Sequence, residues 1–189
     1  KKMRIISGKF KNKKLFFTKN LKTRPLKDNV RENLFNILEH SNDFEIKIKN
    51  SHVMDLYAGA GSFGFECLSR EASQVYFVEK DPDALINLKK NIENFKVQKQ
   101  TVIFAEDISK VIVSSNFDKK VNIAFMDPPY SNKKNDEIIE IIRKQNVLSE
   151  KHVLILHVEK NKNINLYNKF NIVDNRSYGR SELLFIRLF

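Results

Sequence analysis

The sequence predicts an α/β fold: a seven-stranded, mostly parallel sheet with an antiparallel last strand, preceded by a small N-terminal β-hairpin and helix extension. Three observations carry this. From His52 onward, short apolar runs alternate with amphipathic stretches, the pattern of parallel strands covered by helices. The last two strand-like runs follow one another with no helix between them, which a hairpin satisfies and a parallel crossover does not. Before about residue 45 the chain is a basic arm followed by a single helical stretch.

The elements follow in order. Residues 3–7 and 15–18 read as two short strands around a basic turn at 8–14. Pro25 disfavours helix at Arg24, and a helix is expected after it, because Val30, Leu34, Phe35, Ile37 and Leu38 recur at helical spacing. Asp28 suits its N-cap or first turn. Residues 41–51 read as a polar linker. Strands are predicted at 53–56, 74–79, 101–105, 121–126 and 153–158, with helices at 63–70, 82–95, 108–114 and 135–145 between them. Residues 170–174 and 182–188, joined by 175–181, are the closing hairpin.

Length and charge bound the function. A chain of 189 residues with 41% hydrophobic content and 15 Phe is one globular domain with room for a small appendage. No apolar run approaches the roughly 20 residues of a membrane span, and the basic start lacks the apolar core of a secretory signal. A soluble, cytoplasmic protein is expected. The single Cys67 has no disulfide partner and reads as a small buried hydrophobe. Of the 34 Lys and Arg, eleven fall in residues 1–27 with no Asp or Glu among them, so the other 23 are matched by 23 acids. The net charge of +11 is therefore confined to the arm. Confined cationic charge attracts a polyanion through phosphate contacts, and a hairpin presenting Arg4, Lys9, Lys11, Lys13 and Lys14, with Arg24 beyond, is expected to bind nucleic acid.

The first strand leads into Asp55-Leu56-Tyr57-Ala58-Gly59-Ala60-Gly61-Ser62-Phe63-Gly64. Gly59 and Gly61 permit a tight turn and a close backbone approach to a ligand, with Tyr57 and Ala58 in the same loop. Glycines alone would also serve turn geometry. The added signal is Asp55, whose carboxylate suits a cofactor with a cationic α-amino group, such as S-adenosylmethionine, and would repel a pyrophosphate. Glu79 lies 24 residues after Asp55, near the spacing at which an acid accepts from ribose hydroxyls, with Lys80 beside it. Asp107, followed by Ile108, ends the third strand where a cofactor adenine would lie, and it can also cap a helix. Three acids at successive strand ends specify more than any one.

The fourth strand delivers Asp127-Pro128-Pro129-Tyr130 to the same edge. Two prolines can simply stop a strand, but beside a cofactor loop the segment suits methylation of an exocyclic base amine. That nitrogen is a poor nucleophile because its lone pair is delocalised into the ring. Asp127 can accept one amino hydrogen and the Pro128 carbonyl, held by Pro129, the other; Tyr130 can stack on a base drawn out of its helix. His40, His52, His152 and His157 show no metal-ligand spacing with Cys67, so no metal is expected.

Across nearly its whole length the chain resembles the bacterial 16S rRNA guanine-N(2) methyltransferases of the RsmD type, within the class I S-adenosylmethionine-dependent enzymes. The resemblance is carried by Arg4-Ile5-Ile6-Ser7-Gly8, by Thr23-Arg24-Pro25 with Val30-Arg31-Glu32-Asn33-Leu34-Phe35-Asn36, by 55–70, by Asp127 to Tyr130, and by the ending Tyr178-Gly179-Arg180-Ser181-Glu182-Leu183-Leu184-Phe185. It implies a Rossmann-like fold with a methyltransferase domain over 46–189 behind an extension over 1–45. It also implies S-adenosylmethionine as donor, and as substrate a guanine of small-subunit rRNA in an assembled or partly assembled particle, bound by a monomer. Leu26 and Ala60 depart from the family's usual residues. The rival readings are an adenine-N(6) methyltransferase of DNA or RNA, disfavoured for DNA because 189 residues leave no room for a target-recognition domain, and a non-catalytic RNA-binding assembly factor, disfavoured because the loop and Asp127 are intact.

Overall fold

A computed structural model of the chain describes residues 3–17, 26–41, 44–114, 117–129, 134–160 and 164–189. Seven strands, β1 (His52–Leu56), β2 (Gln74–Val78), β3 (Thr101–Phe104), β4 (Val121–Met126), β5 (Leu148–Glu159), β6 (Asn171–Tyr178) and β7 (Ser181–Arg187), form one sheet in the order β3-β2-β1-β4-β5-β7-β6. β1 to β5 pair in parallel, and β7 lies antiparallel between β5 and β6. The helices are α1 (Asp28–His40), α2 (Ser62–Ser69), α3 (Pro82–Phe95), α4 (Ile108–Ser114), α5 (Asn135–Lys144) and α6 (Ile164–Lys169).

Strand side chains alternate between two cores. Val53, Val75, Phe77, Ile123, Phe125, Val153 and Ile155 pack with α1, α2, α3 and the N-terminal arm. Met54, Tyr76, Val78, Ala124, Met126, Leu154 and Leu156 pack with α4, α5 and α6. The phenylalanines are concentrated in the first core: Phe63 stacks on Phe125 at 4.3 Å between centroids and on Phe35 at 5.3 Å, and Phe65 on Phe95 at 4.9 Å. Cys67 is wholly buried there, and burial pushes its thiol pKa well up, as expected of an inert core residue.

The elements differ from expectation where polarity hid them. β5 begins at Leu148, five residues earlier than predicted, across a register shift opposite Val121. β6 runs on to Tyr178, through residues read as a turn, because Asn175, Arg176 and Ser177 lie on a solvent-facing edge strand. The six residues of α6, too short for a periodic signal, form a helix that the sequence does not announce. In the stretch read as a linker, Phe44 and Ile48 are buried, and Phe44 stacks on Phe185 at 5.3 Å.

The arm is a hairpin with one bridge, Arg4 to Lys14, rather than two extended strands. Backbone N–H groups of Ile5 and Leu15 donate to the carbonyls of Lys13 and Met3, and a 3-10 turn at Gly8–Phe10 fills the tip. The arm is laid along the domain. Met3, Ile5 and Leu15 enter the first core. Glu66, fully buried on α2, accepts from the N–H groups of Ile6 at 2.8 Å and Ser7 at 3.0 Å and pairs with Arg70 at 3.1 Å. Arg70 also pairs with Glu39 at 2.6 Å, and Arg31 donates to the Arg4 carbonyl at 2.5 Å. Gly8 is obligatory: its φ is +79°, and a Cβ there would stand 2.0 Å from the Ser69 carbonyl oxygen. Asn91 on α3, also buried, accepts from Phe16 N–H at 2.8 Å and donates to the Phe16 and Ala60 carbonyls at 2.9 and 3.0 Å.

Removing the Glu66 carboxylate leaves two amides and a buried guanidinium short of acceptors. Glu66→Ala is expected to lower unfolding stability by about 3–5 kcal/mol in urea titrations. The amides of Ile6 and Ser7 should lose hydrogen-exchange protection with it; an arm that stays protected would show that its apolar contacts alone hold it.

Candidate active site

At the carboxyl edge of the sheet, where parallel α/β folds gather their ligands, a cavity of about 890 Å³ opens between the ends of β1, β2, β4 and β5 and the starts of α3, α4 and α5. The β1–α2 loop forms its floor. Tyr57, Gly59 and Gly61 all take positive φ, at 59°, 56° and 82°, so the chain reverses within five residues. The reversal is tied down by Ala58 N–H to the Val78 carbonyl at 3.1 Å, Gly61 N–H to the Ala58 carbonyl at 2.8 Å, and the Asn91 amide on Ala60. Around Gly59, nothing lies within 4 Å of where a Cβ would stand, which leaves the backbone open to a ligand. Gly61 serves packing instead: a Cβ there would meet Leu88 and Phe65 at 2.7 Å.

Glu79 is fixed before any ligand arrives. Gly59 N–H donates to Oε2 at 2.7 Å, and the N–H groups of Lys80 and Asp81 to Oε1 at 2.8 Å. A carboxylate offers about four acceptor sites, so about one remains open toward the cavity. Asp107 accepts from the Ser109 hydroxyl at 2.7 Å and N–H at 3.1 Å, and from the Lys80 ammonium at 3.0 Å. The Ser109 hydroxyl and then the Lys80 ammonium hold its pKa down to about 2. Lys80 thus reaches across the cavity mouth to an acid at the start of α4.

Tyr57, Ala58, Gly59, Glu79, Lys80, Asp107, Ile108, Asp127, Pro128 and Pro129 all line this one cavity. Asp55 does not. It stands behind the loop, 2% exposed, and its Oδ2 accepts from the Gly64 N–H at 3.0 Å, so it anchors the start of α2. Tyr130 and Arg24 lie outside the described residues. Of the basic residues assigned to nucleic acid, Arg4, Lys9, Lys11 and Lys14 are exposed, whereas Lys13 is half-buried with its ammonium 4.6 Å from the Phe95 ring centroid and donating to the Asn94 carbonyl. Among the described residues no cluster of metal-ligating side chains occurs, and no helix is long and apolar enough to cross a membrane.

His157, near the end of β5, also lines the cavity, and its Nδ1 lies 2.8 Å from Asp127 Oδ1. Sequence reasoning weighs it only as a metal ligand. A polar residue inside the apolar run 153–158, at the strand end facing Asp127, is the available signal.

Burial raises the Asp55 pKa well above the ordinary carboxyl value, partly offset by the Gly64 N–H and reinforced by Asp127 and Glu79. The folded chain therefore holds a proton that the unfolded chain releases near pH 4. The stabilisation from this group is fully present below that pH and is lost as pH rises through the folded value. Relative to Asp55→Asn, ligand-free wild type should become progressively less stable above about pH 4. Parallel denaturation curves at every pH would show that Asp55 is not held protonated.

Comparisons with known proteins agree with this architecture. The model of the family described as "Conserved hypothetical protein 95" matches residues 3–187. The chain is 30% identical over 161 residues to ribosomal RNA small subunit methyltransferase D of Haemophilus influenzae, covering 85% of this chain and 80% of that protein. It is 32% identical over 165 residues to the protein of the same name from Buchnera aphidicola, covering 86% and 78%. The solved structure of yhhF from Escherichia coli superimposes with a TM-score of 0.81 at 24% identity, over 99% of this chain and 98% of that one, a likeness of fold. The chain belongs to the Conserved hypothetical protein 95 family, that of the RsmD-type methyltransferases, and folds as a Rossmann-like methyltransferase.

Proposed function

We propose that this protein methylates the exocyclic N2 amino group of a guanine in small-subunit (16S) rRNA, using S-adenosylmethionine and acting as a cytoplasmic monomer on an assembled or partly assembled subunit. The observation that carries the reading is the single cavity shared by Gly59, Glu79 and Asp107 on one side and Asp127, Pro128 and Pro129 on the other. The relatives named ribosomal RNA small subunit methyltransferase D support rRNA as the substrate class. The exposed lysines of the arm support a polyanionic partner.

The residues suit the donor. The open backbone at Gly59 accommodates a close-lying ligand, Glu79 offers a fixed acceptor for a ribose hydroxyl, and Asp107 and Ile108 stand where an adenine amine needs an acceptor and an apolar wall. Asp55 is one layer removed: it holds the Gly64 N–H behind the loop, so its part in donor binding is to set the shape of that loop. When bound, S-adenosylmethionine supplies an electrophilic methyl on a sulfonium.

The chain's own work is orientation. Asp127 accepts one hydrogen of the base amine and the Pro128 carbonyl the other, which turns the nitrogen lone pair toward the methyl. Pro129 fixes φ after that carbonyl and contributes no competing N–H, and Tyr130 provides a stacking face for the extruded base. Rate enhancement then comes from positioning and hydrogen bonding, without a covalent intermediate.

The test is transfer from labelled S-adenosylmethionine to small subunits, naked 16S rRNA and duplex DNA, followed by identification of the modified base. N2-methylguanine in rRNA is expected; methyladenine in DNA with unlabelled rRNA overturns the reading. Asp127→Ala should abolish transfer with cofactor affinity changed less than about threefold, since an orienting group mainly affects the transition state. Replacing exposed Lys9, Lys11 and Lys14 by Gln should weaken RNA binding and lower its salt slope by about one for each phosphate no longer neutralised. An unchanged slope removes the arm from the RNA interface.

A further inference from the structure

We propose that His157 is a positioning residue for Asp127, donating Nδ1–H to one carboxylate oxygen so that the other is presented to the substrate amine. The inference rests on the reading of Asp127 as the acceptor of an amino hydrogen. Its basis is the 2.8 Å contact between Nδ1 and Asp127 Oδ1 within the cavity wall. A carboxylate only accepts, so in this contact Nδ1 carries the hydrogen and the imidazole's tautomer is set by its partner.

The sheet makes the pair. β4 and β5 are parallel and in register, with Phe125 opposite Ile155 and Met126 opposite Leu156, so the next step sets Asp127 beside His157. The His157 side chain is 8% exposed and that of Asp127 26% exposed, so the imidazole is held by the sheet while the carboxylate reaches into the cavity. An aspartate just past a strand end has two side-chain torsions to restrain. A buried donor on one oxygen removes that freedom before substrate arrives, and the cost of orienting the acceptor is met in folding rather than at the barrier.

The contrast with His152, five residues earlier on the same strand, separates this from an ordinary buried histidine. His152 is fully buried, and its ring nitrogens meet only backbone groups: the carbonyls of Ser149 and Glu150 at Nδ1, and the Leu188 N–H, which donates to Nε2 at 2.9 Å. His152 fastens the chain terminus. His157 faces an ionisable group on the cavity wall.

Two variants and one spectrum test the proposal. His157→Phe fills the site without a donor and is expected to lower kcat by about 10- to 100-fold, the usual cost of losing an orienting partner, while KM for RNA and Kd for S-adenosylmethionine stay within about threefold of wild type. His157→Asn places an amide donor where Nδ1 stood and should recover most of that loss. A wild-type kcat in His157→Phe, or a His157→Asn protein as slow as His157→Phe, overturns the proposal. The 15N spectrum of His157 in mildly alkaline buffer should show the Nδ1–H tautomer in wild type and the Nε2–H tautomer in Asp127→Ala. Should wild type methylate no RNA, the proposed function falls, and the spectrum still decides the pair: Nε2–H in wild type overturns it.

Discussion

The site depends on one geometric constraint, the two-residue repeat of strands that share a parallel register. Val53 aligns with Val75 and Ile123, and Ile123 with Val153, so positions of like parity lie on one face across four strands. Asp55, Glu79, Asp127 and His157 continue that parity at or just past the strand ends. A slip of one residue in any strand would carry its polar end residue to the α4–α5 side and bring an apolar one into the cavity. The apolar cores that fix the register thereby fix the chemistry, and a few of their members, Val78, Ile108 and Ile138 among them, also line the cavity.

Polar groups do the second task, joining the extension to the sheet. The arm's backbone amides and carbonyls are met by Glu66 and Ser69 from α2 and by Asn91 from α3. A strand at the sheet edge would satisfy those groups through a ladder; this arm does so through side chains. Its outer residues, including Lys9, Lys11 and Lys14, are thus displayed from a fixed backbone. Lys13 is the exception, because its stem and ammonium cover Phe95.

Much of this was legible in the sequence because it rests on local signals. The α/β alternation, the closing hairpin, the glycine loop and the Asp-Pro-Pro segment each announce themselves within a few residues, and ten of the residues singled out for catalysis or cofactor binding meet in one cavity. What escaped depends on neighbours distant in sequence. Whether Asp55 faces a ligand or a helix start depends on Gly64 folding back over it. The partnership of His157 depends on the pairing of β4 with β5. The polar run 175–177 reads as a turn unless β7 is known to lie beside it. Glu66 and Asn91 carry no local mark of their role, since nothing nearby in the sequence says that a chain roughly 60 or more residues away will cover them.

Asn91 uses its whole side chain. Its oxygen accepts from Phe16 N–H, and its amide nitrogen serves both the Phe16 and the Ala60 carbonyls. Aspartate would match its shape and supply no donor; leucine would match its volume and leave three backbone groups without these partners. The position is therefore chemically closed to substitution, and the reason is mechanical as well as energetic. One planar amide links the arm in series with the turn of the glycine loop, so the stiffness of that loop is partly borrowed from a segment 44 residues before it in the chain.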